Sequence, residues 1–185
     1  ANISSRSSLV IDLRNRMVQI AYESNDPTLE LEYSLALLEA GQSEPDFALK
    51  LYLLATLLED QAAQGRVISA NAPVAPRFAD WAKGLDEGEQ RVDAFEFLYE
   101  LYLHSGATEE AMEARLLLAE SLPSTQARAV LDGCLRDLAQ KGSEASPTIQ
   151  ARVLYREGLL AQELGDKAGA ILSWQKAREL TPDDL

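Results

Sequence analysis

The sequence predicts an all-α chain built of antiparallel helix–turn–helix units stacked side by side. Three observations carry that expectation. Alanine, leucine, glutamate and arginine dominate, and no β-branched run alternates with period two. Within Ala151 to Leu185, small residues recur where two helices would have to touch: Gly158, Ala161, Gly165, Ala170 and Ala177. Trp174 lies between the last two alanines, and Pro182 closes the unit. Closely pressed helices need small side chains at the contact and a large one to fill the remaining gap. Finally, Gly106, Ala111 and Pro123 return as Gly165, Ala170 and Pro182, each 59 residues later. On that register Tyr102 falls at the position of Ala161, and Leu118 at that of Ala177.

The elements follow in order. A first helix is expected over about 5–23, with Leu9, Leu13, Met17, Ile20 and Ala21 forming one stripe at spacings of three and four. Asn25-Asp26-Pro27 breaks it; Asp26 suits an N-cap and Pro27 the first helical position. A second helix runs to about Ala40 and stops at Gly41. The third is expected from Pro45 to about Gln64, apolar nearly all round and so buried between neighbours. A weaker copy of the hairpin unit is expected to centre on Gly41 and Ala48. Residues 65–77, with two prolines, a glycine and no helical period, read as a loop or insertion. A short helix follows, with Phe78, Trp81 and Ala82 on one side.

Helical pairing resumes over 92–104, and Gly106 marks the turn. Phe95, Leu98, Tyr99 and Tyr102 form its buried stripe. Thr108 is expected to cap the next helix, which places Ala111 and Leu118 inward and ends at Pro123. Ser124 is expected to cap a helix through Cys134 to about Gln140. The stretch from Gly142 to Pro147 reads as a loop ending in a cap, Ser146, before a first-position proline. The last two helices complete the closing unit.

Composition bounds the function. The 185 residues fit one domain, 1–185, large enough to fold without disulfide or metal. The single cysteine, Cys134, excludes an internal disulfide and offers no metal-ligand spacing. No apolar run approaches the ~18 residues of a membrane span, so direct membrane insertion by this segment is not expected. The net charge is −13, and residues 25–124 carry all of that excess. Such a surface repels nucleic-acid phosphate and attracts basic partners. The start at Ala1 and the ending Thr181-Pro182-Asp183-Asp184-Leu185, which looks like a junction into another unit, suggest a piece cut from a longer protein.

Catalysis finds little footing. His104 is the only histidine, and nothing in the spacing brings it to Cys134. No phosphate-cradling glycine motif or dinucleotide fingerprint is present. Asp86-Glu87-Glu89 and Asp183-Asp184 lack the ligand pattern of a calcium loop. The chain therefore reads as no enzyme, with no catalytic residues, metal or cofactor.

The small-residue pattern, Trp174 and the closing Pro182 resemble the tetratricopeptide repeat, a unit of about 34 residues. The resemblance is closest over 151–184, weaker over 92–123 and weakest before residue 65; the family's frequent first-helix tryptophan is replaced by Leu154. It implies a right-handed superhelix, an α-solenoid, whose first helices line a concave groove that holds a partner protein or peptide. Carried over by register, the groove positions are Asp93, Glu96, Glu100, Leu103 and His104, then Arg152, Tyr155, Leu159, Gln162 and Glu163. The partner would carry basic residues along one part and an apolar anchor elsewhere. The resemblance further suggests a scaffold or adaptor on the cytoplasmic or periplasmic side of a bacterial envelope or secretion assembly. A self-associating module and a regulatory domain of an enzyme are the alternative readings.

Overall fold

The computed structural model describes residues 3–41, 43–140 and 145–182. These form α1 (Ile3–Glu23), α2 (Pro27–Glu39), α3 (Pro45–Leu57), α4 (Gln61–Asn71), α5 (Ala75–Lys83), α6 (Glu89–Ser105), α7 (Thr108–Ser121), α8 (Ser124–Gln140), α9 (Pro147–Glu163) and α10 (Lys167–Leu180). A 3₁₀ turn, Ala72–Val74, joins α4 to α5. Among the described residues there is no strand. Helices adjacent in the chain pack together, most extensively as the pairs α9–α10, α6–α7 and α1–α2, followed by α7–α8 and α3–α4. In addition α2 packs on α4, and α7 on α9. The chain divides into two compact units, Ala1–Arg77 and Phe78–Leu185.

Among the described residues, one turn geometry closes four hairpins, α1–α2, α3–α4, α6–α7 and α9–α10. Asn25, Glu59, Gly106 and Gly165 are each left-handed, with φ of 55°, 53°, 74° and 86°. The next residue in each case returns its N–H to a carbonyl five residues back: Asp26 to Ala21, Asp60 to Ala55, Ala107 to Tyr102, Asp166 to Ala161. These bonds satisfy carbonyls that a helix end leaves unpaired. Three of those residues are aspartates that cap the following helix, each accepting from the backbone N–H three residues on, at 3.0, 2.9 and 2.9 Å. Asn25 and Glu59 lie 34 residues apart.

Several local expectations change in consequence. The third helix is two: Glu59 breaks it and Asp60 restarts it, so the run to Gln64 spans the end of α3 and the start of α4. The N-terminal copies centre on Asn25 and Glu59, not on Gly41 and Ala48; Gly41, at φ 92°, ends α2 between hairpins. Residues 65–77 are not a loop. α4 runs through Gly65 to Asn71, Pro73 sits in the first turn of the 3₁₀ segment, and Pro76 is the second residue of α5. A proline in a first helical turn gives up no hydrogen bond, because those N–H groups have no partner inside the helix.

Capping differs too. Ala107, with no side-chain bond, stands at the N-cap expected of Thr108. Ser124 opens α8, and its hydroxyl donates to Glu163 at 3.0 Å. Ser146 caps α9 as expected, accepting from Ile149 at 3.4 Å. Gly142, Ser143 and Glu144, part of the expected loop, and the final Asp183-Asp184-Leu185 lie outside the described residues.

Each unit has its own core. In the first, Leu31, Leu35, Leu38, Leu49, Leu51 and Val67 are buried. In the second, Phe78, Phe95, Phe97, Leu98 and Leu101 are buried, with Phe78 and Phe97 edge to face at 5.7 Å. Met112, Leu116, Leu131, Cys134, Ile149, Val153 and Leu160 knit α7, α8 and α9 into one cluster. Of the stripe expected on α6, Phe95, Leu98 and Tyr102 are buried and Tyr99 is half-buried.

Candidate functional site

The helical spacing of α6 sets Asp93, Glu96 and Glu100 on one face. Phe95, Phe97, Leu98 and Leu101 face the core and fix that helix's rotation, so the carboxylates are held outward together. Asp93 and Glu100 are half-buried; Glu96 and His104 are exposed. Leu103 adds an apolar patch beside them, 42% exposed.

The three carboxylates sit in their own negative field. Partial burial, and then the charge of Glu89, pushes the Asp93 carboxyl above its usual range. Glu96 reaches solvent, yet protein crowds one side of its carboxyl. That desolvation is the larger cause of its raised pKa, and repulsion from Asp93 and Glu100 adds to it. Such a stripe gains from a cation laid along it, since each positive group offsets the repulsion among the carboxylates.

The sign of the pH effect follows. A raised pKa means that the folded chain holds the proton more tightly than the unfolded chain does. Stability from this source is therefore gained as pH falls through the range just above the usual carboxylate values of 3.8 and 4.5, and is lost above it. The double variant Asp93→Asn, Glu96→Gln is expected to be more stable than the parent at pH 7. Solvent screening limits the gain to about 0.5 kcal/mol. Urea denaturation at pH 7 and pH 4 checks this: the gain should shrink as the pH falls, and a constant gain would refute the field.

The second set of residues expected to line a groove lies on α9, where Arg152, Tyr155 and Leu159 follow at spacings of three and four. Arg152 is committed to Glu113 of α7. Its guanidinium donates to both carboxylate oxygens, one of them at 3.1 Å, and this bond raises its pKa further. It faces α7 rather than standing as an open cation. Tyr155 is 43% exposed, and its carbonyl accepts from the Trp174 indole at 3.2 Å. Leu159 is half-buried, and Gln162 and Glu163 are exposed. The site residues thus form two groups, an acidic one on α6 and a mixed one on α9. Helix α7 packs against both.

Two features escaped the sequence reading. A shallow depression of ≈270 Å³ is lined by Glu109, Glu110, Glu113, Ile149 and Arg152, and Glu109 accepts from the Ser146 backbone N–H at 2.8 Å. The doubled glutamate of the first turn of α7 was its only signal. The other joins three helices: the Arg115 guanidinium lies 3.9 Å from the centre of the Tyr99 ring and pairs with Asp137 at 2.8 Å. The Cys134 thiol beside it is buried and pushed up in pKa by that burial, which Arg115 partly offsets. A thiol held protonated in this way is a poor nucleophile. Among the described residues no cluster of His, Cys, Asp and Glu could hold a metal ion, and no helix is long and apolar enough to cross a membrane. No protein-family model and no curated protein matches the chain.

Proposed function

We propose that this chain is a non-catalytic interaction scaffold of the tetratricopeptide kind, whose hairpins stack into a superhelix with a concave, partner-binding groove. The observation that carries the reading is the shared turn: four hairpins close with the same left-handed residue and the same backbone bond, and the first two are 34 residues apart. Units built alike, each pressing its face on the next, form extended binding surfaces rather than enclosed catalytic clefts. The acidic stripe of Asp93, Glu96 and Glu100, with His104 beside it, takes the basic part of a protein or peptide. Tyr155 and Leu159 supply the apolar part, and Arg152 anchors their helix to Glu113. Nucleic acid is disfavoured by the same charge. The setting is a larger bacterial assembly of the envelope or secretion type, which the family resemblance alone suggests.

Titration with a synthetic lysine-bearing amphipathic peptide at low salt tests the groove. The variant Glu96→Lys, Glu100→Lys should weaken binding about tenfold or more while helical content stays constant. Unchanged affinity would remove α6 from the site.

A second reading, self-association, has one observation behind it. Aligned on the turns, Leu13 and Ile20 of α1 match Val153 and Leu160 of α9. The α9 pair is buried, whereas Leu13 and Ile20 are 59% and 61% exposed. An uncovered apolar stripe of this sort can pair with another copy. Sedimentation velocity over a hundredfold concentration range decides it; a constant monomer ends this reading.

A further inference from the structure

The four hairpins are not filled alike where their helices cross. Aligned on the turns, the crossing pairs are Val18 with Ser34, Tyr52 with Ile68, Tyr99 with Arg115, and Gly158 with Trp174. Three of these pairs contain a bulky side chain; the first has none. At that place a crevice of ≈480 Å³ opens, lined by Val18, Ser34, Phe47, Leu51, Leu54 and Leu57. In the α6–α7 hairpin, the corresponding space beside the next helix holds the Tyr99 ring and the Arg115 guanidinium, closed by Asp137 of α8. In the last hairpin, the Trp174 indole lies against Gly158. The chain itself thus shows what fills this position: a large, flat side chain.

The mouth adds two facts. Leu57 is 78% exposed and Leu53 36%, leaving an apolar lip in water. Glu30 and Lys50 are the charged residues of the lining, and Lys50 is paired with Asp46 at 2.7 Å. The mouth therefore carries net negative charge. A volume of this size, apolar walls and one unbalanced carboxylate suit a small, oriented anchor.

We propose that the α1–α2–α3 crevice is a docking point for a bulky aromatic side chain, flanked by a basic residue, that a protein partner presents. The aromatic ring takes the place that Trp174 and Tyr99 take in the other hairpins, and the basic flank faces Glu30. This site shares no residue with the acidic stripe of α6, so it stands or falls separately from the groove proposed above.

Methyl NMR of the full chain, titrated with the capped tripeptide acetyl-Lys-Trp-Lys-amide, tests it. Saturable shifts are expected at Val18, Leu51, Leu54 and Leu57, and none with Lys-Ala-Lys. Ser34→Trp should fill the crevice from within. Its Tm should equal the parent's or exceed it by about 2–4 °C, and its peptide shifts should fall at least tenfold. If that variant does not fold, Ser34→Leu serves as a smaller filling with the same expected loss of peptide response. The charge reversal at Glu96 and Glu100 should leave these shifts unchanged. Shifts that are absent, that scatter over the surface or that survive both fillings overturn the proposal. So does a response to lauric acid with none to the peptide, which would make the crevice a lipid site.

Discussion

Phe97→Ala is expected to cost about 3–5 kcal/mol of folding stability. Phe97 is 1% exposed and lies 5.7 Å from Phe78, with the ring planes at 81°. Truncation removes the buried ring and leaves a cavity beside Phe78, which a helix-on-helix core cannot close without moving a backbone. It also removes an edge-to-face pair that contributes about 0.5–1.5 kcal/mol beyond its buried area. In thermal melts the Tm should fall by about 10 °C. Leu103→Ala on the same helix is the control: Leu103 is 42% exposed, and its loss should stay within about 0.5 kcal/mol. A Phe97→Ala loss below about 1 kcal/mol would mean that α5 does not pack on α6 as described.

Gly158→Ala should also destabilise, against the intrinsic trend. Alanine is favoured over glycine in a helix by about 1 kcal/mol. Here, however, a Cβ would lie 2.5 Å from Cδ1 and 2.9 Å from Cε2 of Trp174. The indole is rigid, and its N–H is bound to the Tyr155 carbonyl, so the ring must slide off α9 and give up that bond. Overpacking of this kind costs about 1–3 kcal/mol, which leaves a net loss of about 1 kcal/mol after the helix gain. The decisive measurement is a double-mutant cycle followed by circular dichroism. In a Trp174→Ala background the obstacle is gone, and Gly158→Ala should become stabilising by about 1 kcal/mol. The same sign in both backgrounds would show that the indole does not rest on residue 158.

That pair also marks how far the residues could be read. Gly158 and Trp174 were legible because close packing at a crossing wants a large side chain set against a small one. Ala161, Ala170 and Ala177 are likewise buried at the α9–α10 contact. The spacing places Gly165 at the same contact, but a Cβ there meets nothing within 4 Å; its glycine serves the turn's φ of 86°. The turn at Glu59 stayed hidden because glutamate is a poor guide to a left-handed residue, and apolar Leu53, Leu54, Leu57 and Leu58 run straight up to it. Asp60 was the available signal, since it stands to Glu59 as Asp26 stands to Asn25. Pro73 and Pro76 misled for a different reason. A proline marks a loop and a helix start with equal force, and only tertiary packing decides between them.

The acidic stripe of α6 could be anticipated, because spacings of three and four fix a common face. The commitment of Arg152 to Glu113 could not. Residues 39 apart meet only through the packing of α7 against α9, which no local pattern encodes.

The recurring turn has a kinetic corollary. Each hairpin is closed by a bond that spans five residues, and three of them also by a cap that spans three, so the nucleus forms from neighbours in the chain. Little loop entropy stands in the way, and helical hairpins of this kind assemble on roughly microsecond to millisecond scales. Within each unit the hairpins can then zip onto one another in either direction from whichever forms first.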